Sequence, residues 1–522
     1  MFLRRIVLFA AIALIAASSV QAQRPAAAWW EHVVFLSDDA LQGRAAGSEG
    51  HRKAAAYVSD HFQKLGLTPG VGGSYLQPVQ LRAVTIDRAA SSVAVIAGGR
   101  TQAFDLSKDM AINGRGTCGA VDAPLVFVGQ GLHVPEVGHD DLAGQDLRGK
   151  IAVYVAGAPS NLTAPVVSHR QGAGERWRVL KERGVVGQIQ IFNPHQAGAD
   201  WMRTIDAAQQ PTYGLAEGEE FADRRLAATV HPDAAKAMFE GSGHNLDALL
   251  ETVKGGQALP RFALTTSVRA QLRCSSTPSP SENVVALMEG SDPRLRNEVV
   301  VLSAHLDHVG QFGSGEDTLY NGAMDNASGV ASLIDIAARM RAANFRPRRT
   351  IAFVAVTAEE RNLLGSYYFA RRPPFAAGMR MVANINLDMF LPIIPMKGLI
   401  AFGMEESSLQ RDVEAAAASV GIVAERDPVP AQNIFIRSDQ YNFVRVGVPS
   451  VMLLTGAAGD AETWKTWESW MRTHYHRPND DIRQPVNFES AEMFQRALLT
   501  LVRRVGDADA APSWNQNSVF RP

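Results

Sequence analysis

The chain has 522 residues, 46% of them hydrophobic and 20% charged, and its 51 Lys plus Arg against 53 Asp plus Glu give a net charge of −2. Such a composition excludes a disordered or collagen-like chain and argues against a nucleic-acid partner, which calls for a basic excess. The 2 cysteines exclude a disulfide-dense scaffold and a cysteine-rich zinc module, and no apolar run beyond the N-terminus approaches the about 18 residues a membrane span needs.

Residues 1–22 read as an export signal. Arg4 and Arg5 supply a positive start, and Ile6 to Ala17 is a 12-residue apolar stretch, short for a bilayer span. Val20-Gln21-Ala22 offers small residues at the positions before a cut after Ala22. The mature chain is therefore expected in a periplasm or outside the cell, with no stable membrane insertion after cleavage. No cysteine lies near the cut, which argues against a lipoprotein.

Helices are predicted at Trp29 to Leu36 and at Glu49 to Leu65, where Ala55, Val58, Phe62 and Leu65 recur at helical spacing and Gly66 stops the run. Between them Gln42 to Gly47 reads as a loop with two glycines. A β-rich region follows, with short runs at Leu125 to Val128, Ile151 to Val155 and Val186 to Phe192. Cys274 to Ser281 has the composition of a linker. Cys118 opens the β-rich region and Cys274 closes it. A bond between them would staple an inserted domain at its stems, and the alternative is two separate buried thiols.

Beyond the linker the texture changes. Mostly apolar runs at Val299 to Ser303, Thr350 to Thr357, Met381 to Leu387 and Ser450 to Leu454 alternate with predicted helices at Ala327 to Ala343, Leu409 to Val420 and Ala491 to Val505. That alternation indicates an α/β fold, with a mostly parallel mixed sheet flanked by helices. Gly506 to Pro522 reads as a loose tail.

Chemistry in such sheets gathers at the carboxyl ends of the strands. Four segments there or leading into helices carry metal-ligand side chains: Ser303 to His308, Gly322 to Gly329, Thr357 to Glu360 and Asn386 to Met389. A fifth runs from Thr473 to Asp480. Each alone is weak, since a single His or Asp at a strand end is usually a cap or a surface group. Gathered along one edge, they would form a self-repelling acidic cluster whose burial is costly unless divalent cations neutralise it. Mixed imidazole and carboxylate donors suit Zn²⁺.

These segments resemble the co-catalytic di-zinc aminopeptidase family, the bacterial leucyl aminopeptidase type, whose relatives include glutamate carboxypeptidase, glutaminyl cyclase and transferrin receptor. The 20-residue step from His305 to Asp325 and the 34-residue step from Asp325 to Glu359 fit that pattern. Phe35-Leu36-Ser37, Gly43-Arg44 and Gly47 to Gly66-Leu67 resemble the family's opening. Val126 to Gly129 and Asp146 to Ile151 resemble a protease-associated domain. The resemblance implies a zinc-exopeptidase sheet formed by residues 23–110 and 280–505, with a protease-associated insert plus linker at 111–279 and the tail at 506–522.

It further implies that two Zn²⁺ ions, or other divalent transition metals, are held by His305 and His476, by Glu360 and Asp388, and by Asp325 bridging both. Glu359 is implied as general base, Tyr475 as the donor stabilising the tetrahedral oxyanion, and Asp307 as the acid orienting the His305 imidazole. A cis peptide at Asp325-Asn326 is implied as well. The substrates would be peptides with a free N-terminus.

Arg437 is a possible substrate contact, with a surface ion pair as the alternative. His308 suits a structural or rim role, and His474 suits a loop hydrogen bond. Trp464, Trp467 and Trp470 either wall an apolar pocket or pack as core. His-Glu occurs nowhere, so there is no zincin motif, and Gly149-Lys150 is followed by Ile151, so there is no phosphate loop. The competing readings are a carboxypeptidase using Arg437 or Arg445 as a carboxylate clamp, a glutaminyl cyclase, and a receptor-like binding protein without catalysis. Oligomeric state and side-chain preference are not legible.

Overall fold

The computed structural model describes residues 26–521 except Thr117 and Ala197; the expected export signal, residues 1–22, lies outside them. Ten strands form the main sheet among the described residues. In chain order they are β1 Thr68–Pro69, β2 Leu76–Ile86, β3 Thr212–Leu215, β4 Cys274–Met288, β5 Glu298–His305, β6 Thr350–Val356, β7 Arg380–Leu387, β8 Gly398–Phe402, β9 Val423–Glu425 and β10 Ser450–Gly456. The order across the sheet is β3-β2-β4-β6-β5-β7-β10-β8-β9, with β1 beside β4. The centre, β6-β5-β7-β10, is parallel. Toward the edges β4 joins β6 and β8 joins β10 antiparallel.

The central strands read as continuous apolar runs because both faces are covered. Val300, Leu302, Phe353 and Ala355 point to a core closed by the helices Ala27–Leu36, Glu49–Lys64, Ser328–Ala342 and Phe488–Asp507. Their alternate neighbours Val299, Val301, Ala352 and Val354 meet Phe369 and Phe443 on the opposite face. The predicted helices are present with slightly shifted ends, Ser48 accepting from the His51 N–H (3.1 Å) at the start of Glu49–Lys64.

A second, eight-stranded sheet with its own core is built from residues 92–271. It changes the expected boundary at residue 111. Ser92–Ala97 pairs antiparallel with Arg261–Gln271, and Arg100–Ala103 pairs with Ser92–Ala97, so residues 92–110 lie in this lobe. Conversely β3, inside the expected insert, leaves it to pair with β2 of the main sheet.

Two further expectations are corrected. Cys274 to Ser281 is not a linker but the first half of β4, paired along β2 from Cys274 to Val284. Pro278 and Pro280 fall where β4 is paired on one edge only, the setting in which a missing N–H is tolerated. Nor is the tail loose. Trp514 Nε1 donates to the Gly447 carbonyl (2.9 Å), and buried Phe520 lies against Phe435 and His169, at centroid distances of 5.1 and 5.2 Å. Large aromatic side chains bury themselves even in a Ser/Asn-rich context. Among the described residues no helix is long and apolar enough to cross a membrane.

Cys118 and Cys274 are disulfide-bonded, across a sequence separation of 156. On the chain-entropy account a loop of that size restricts the unfolded chain by about 5 kcal/mol. Cys118→Ser, or reduction, is expected to lower stability by up to that amount, as read by denaturant unfolding with and without a thiol reductant. A second expectation concerns acid. Burial, then the neighbouring His61, lowers His32 to about 4 from its ordinary 6.5. The folded state keeps this ring neutral while the unfolded chain protonates it, so stability falls as pH drops from 6.5 toward 4. His32→Gln should flatten the melting temperature across that window.

Candidate metal centre

The sheet delivers the predicted residues to one edge. β5 ends at His305, β6 leads through Thr357 and Ala358 to Glu359-Glu360, and β7 leads to Asp388. Asp325 lies in the tight turn Ala323–Ala327 ahead of the helix Ser328–Ala342, and His476 follows the helix Ala461–Thr473. Ala358, Met389 and His476 adopt left-handed backbone, with φ of 54°, 51° and 51°, next to or at these residues. Such conformations cost energy and gather where a site demands an abrupt turn. The Asp325-Asn326 peptide is cis.

Two donor groups result, each with ligand atoms within 4.8 Å of one another: His305, Asp325 and Asp388; and His308, Asp325, Glu360 and His476. His305 Nε2 lies 3.1 Å from Asp388 Oδ1 and 3.3 Å from Asp325 Oδ1. His476 Nε2 lies 3.2 Å from Asp325 Oδ2 and 3.1 Å from Glu360 Oε2. Asp325 thus turns one oxygen to each group. All five residues expected as ligands are brought together.

Asp307 acts differently from the expectation. The His305 Nδ1 partner is the main-chain carbonyl of Asp307 (3.0 Å), while the Asp307 carboxylate accepts the Glu359 N–H (3.1 Å). The turn after His305 brings that carbonyl back to the imidazole Nδ1, leaving the Asp307 side chain to hold the Glu359 backbone. Glu359 and Tyr475 line the space beside the donors, and Arg437 lies there too.

Three residues contribute in ways the sequence does not specify. His308 takes the structural rather than the rim alternative: it is buried, with Nδ1 2.9 Å from Glu360 Oε1. Asp480 accepts from the N–H groups of Met324 and Asp325, both at 2.9 Å, and so holds the Asp325 turn. Buried Arg44 donates to the carbonyls of Leu306 (3.0 Å), Asn321 (2.6 Å) and Gly322 (2.9 Å), and to that of Leu36. It ties the loops bearing His305 and Asp325 to the first helix. Asp480 stands in the last predicted segment and Arg44 in the predicted Gly43-Arg44 opening, so their positions were marked although their roles were not. His474 Nδ1 meets Thr473 Oγ1 (2.8 Å), away from the donors. Of the tryptophans, Trp467 lines the pocket; Trp464 stacks on it, and Trp470 Nε1 donates to Gln484 Oε1 (2.7 Å).

The charges are out of balance. Asp307, Asp325, Glu359, Glu360, Asp388, Asp439 and Asp480 cluster around three imidazoles and Arg44. Burial, with Asp388 and Glu360 adding to it, pushes the Glu359 carboxyl well above its ordinary range, and burial pushes Asp439 up to about 7. Burial opposes ionisation of Asp325, but His308, His305 and His476 hold it well below the usual carboxylate range. Burial would lower His476, yet Asp325 and Glu360 raise it to about 10. Burial, then the surrounding carboxylates, raises the Tyr475 phenol, which stays a hydrogen-bond donor. Buried excess carboxylate with imidazole is a donor set that fits divalent transition metals.

Two spaces meet at Glu359, Arg437 and Tyr475. One is a small pocket bounded by Met389, Ile434, Met452, Leu454, Trp467 and Met471. The other is a cleft of about 420 Å³, walled partly by Arg115, Glu175 and Glu220 of the second lobe. Arg437 is exposed and makes no ion pair or side-chain hydrogen bond among the described residues, whereas Arg445 is paired with Glu220.

A family model, Peptidase family M28, matches residues 283–502. The leupeptin-inactivating enzyme 1 of Streptomyces exfoliatus is 27% identical over 222 residues, 42% of this chain and 45% of that protein. The probable leucine aminopeptidase 2 of Aspergillus fumigatus is 27% identical over 393 residues, 72% of this chain and 66% of that protein. The chain therefore spans about half to two thirds of the length of these curated relatives. An aminopeptidase structure from Aneurinibacillus sp. strain AM-1 is similar at 20% identity and a TM-score of 0.49, covering 95% of each chain.

Removing the support for the Asp325 turn should loosen the donor set without touching a donor. Asp480→Ala is expected to weaken divalent-metal binding by about 10–100-fold, measured by calorimetric titration of zinc into chelator-treated protein.

Proposed function

From the match of residues 283–502 to the model of peptidase family M28, we propose that this protein is an exported zinc aminopeptidase removing N-terminal residues from peptides. The observation that carries the reading is the pair of donor groups sharing Asp325, with Glu359 beside them at the meeting of pocket and cleft. The Cys118–Cys274 disulfide supports an oxidising compartment, hence a periplasmic or extracellular location. The second lobe is read as a protease-associated domain.

Two Zn²⁺ ions, held by His305, Asp388, Glu360 and His476 with Asp325 common to both, would supply Lewis acidity and a hydrolytic water of lowered pKa. The chain's own residues do the rest. Glu359, kept basic-prone by burial and fixed through its N–H on Asp307, takes the proton of the attacking water and passes it to the leaving amine. Tyr475 keeps its phenolic proton and donates to the developing oxyanion. The pocket between Met389 and Met471 receives an apolar side chain, and the cleft holds the remaining peptide.

A carboxypeptidase is the second reading, and Arg437, unpaired among the described residues, is the observation in its favour, since a cation there suits a C-terminal carboxylate. Arg445 is less suited to that task because Glu220 occupies it.

Peptides blocked at either end separate the two. Hydrolysis of free-amine substrates only, abolished by a chelator and restored by zinc, is expected; hydrolysis of N-blocked but not C-blocked peptides would favour the second reading. Activity surviving complete metal removal would overturn both. Glu359→Gln should keep its metal content and lose about 10²–10⁴-fold in kcat.

A further inference from the structure

His308 is a buried imidazole of the second donor group that neither the pocket nor the cleft reaches. Its Nδ1 lies 2.9 Å from Glu360 Oε1, a hydrogen-bond distance, but 3.7 Å from Asp325 Oδ2, which is too far for one. The other Glu360 oxygen, Oε2, faces His476 Nε2 at 3.1 Å. Glu360 is thus divided, one oxygen turned to His308 and one to His476.

The ring has little freedom. The His308 main-chain N–H donates to the Arg44 carbonyl at 3.4 Å. Gly322 leaves room for both the turn and the ring: a Cβ there would fall 2.2 Å from the Asp325 carbonyl oxygen and 2.6 Å from His308 Cδ2. His308 Nε2 is buried and finds no partner among the described residues. A neutral imidazole places its proton where an acceptor waits, so the tautomer carrying Nδ1–H is the favoured one.

We propose that His308 is a positioning residue that pins Glu360 through an Nδ1–H···Oε1 hydrogen bond, presenting Oε2 to the ion shared with His476 and Asp325. The inference rests on the metallopeptidase reading, and adds a device that sets the affinity of one ion without contacting substrate. A carboxylate free to rotate loses orientation and affinity; one held at its far oxygen does not.

The test is zinc titration of the full chelator-treated chain, with melting temperature recorded for each variant. Wild type is expected to take up two ions. His308→Ala should weaken one of the two steps by about 10–100-fold and leave the other unchanged. His308→Asn, whose side-chain amide nitrogen can take the place of Nδ1, should recover most of that loss, and a cobalt-loaded sample should keep the wild-type absorption spectrum. Unchanged affinities in His308→Ala would overturn the proposal while leaving the peptidase reading intact. An Asn variant no better than Ala, with an altered cobalt spectrum, would overturn it in favour of His308 as a direct ligand. Wild-type protein that binds no divalent ion would overturn the peptidase reading itself. Should His308→Ala not fold, His308→Leu, which fills the same space without a donor, is expected to weaken the same single step.

Discussion

Buried negative charge is the constraint on which the rest depends. Seven carboxyl groups come together where the central strands end, and imidazoles and one guanidinium do not balance them. In a low-dielectric interior such an arrangement persists only if protons or cations compensate it and if hydrogen bonds fix every group in place. Much of the local structure serves that end. Asp480 grips the turn beneath Asp325, Arg44 ties neighbouring carbonyls together, and the Asp307 carboxylate steadies the Glu359 backbone. The sheet supplies rigidity, and the loops after its strands supply chemistry.

The parallel centre makes this convergence possible. Because β6, β5, β7 and β10 run the same way, their carboxyl ends share one edge. Residues far apart in the chain then meet without a long loop. The antiparallel flanks serve differently: β4 and β2 extend the sheet toward the second lobe, which in turn walls the cleft. The donor geometry is thus set by the main sheet, and the walls of the cleft partly by the second lobe with its separate sheet.

The strand ends and their acids were legible because buried parallel strands read as unbroken apolar runs, and the polar residues that follow them are conspicuous. His305, Asp325, Glu359, Glu360, Asp388 and His476 could be named on that basis together with the family's spacing. What escaped notice depends on partners distant in sequence. Nothing local marks His308 as buried, since the room for its ring is made by Gly322. The Asp307 contact lies in its carbonyl, which no side-chain pattern reveals. Cys274 to Ser281 carries Ser and Pro because one edge of that strand is open, and the composition of an edge resembles that of a linker. Ser92–Ala97 was assigned to the wrong lobe because a strand's sequence does not say which sheet it joins.

The strand β3 has one more consequence. The chain enters the second lobe after Ile86, returns to add Thr212–Leu215 along β2, goes back, and leaves finally into β4, with Cys118 and Cys274 clasped at the stem. The two lobes are therefore laced together rather than strung on a single tether. Excising residues 92–271 would strip the rim from the larger sheet, taking Leu215 away and baring its partner Leu81 to water. Swapping that lobe for another is a matter of reweaving the edge, not of cutting and rejoining two ends.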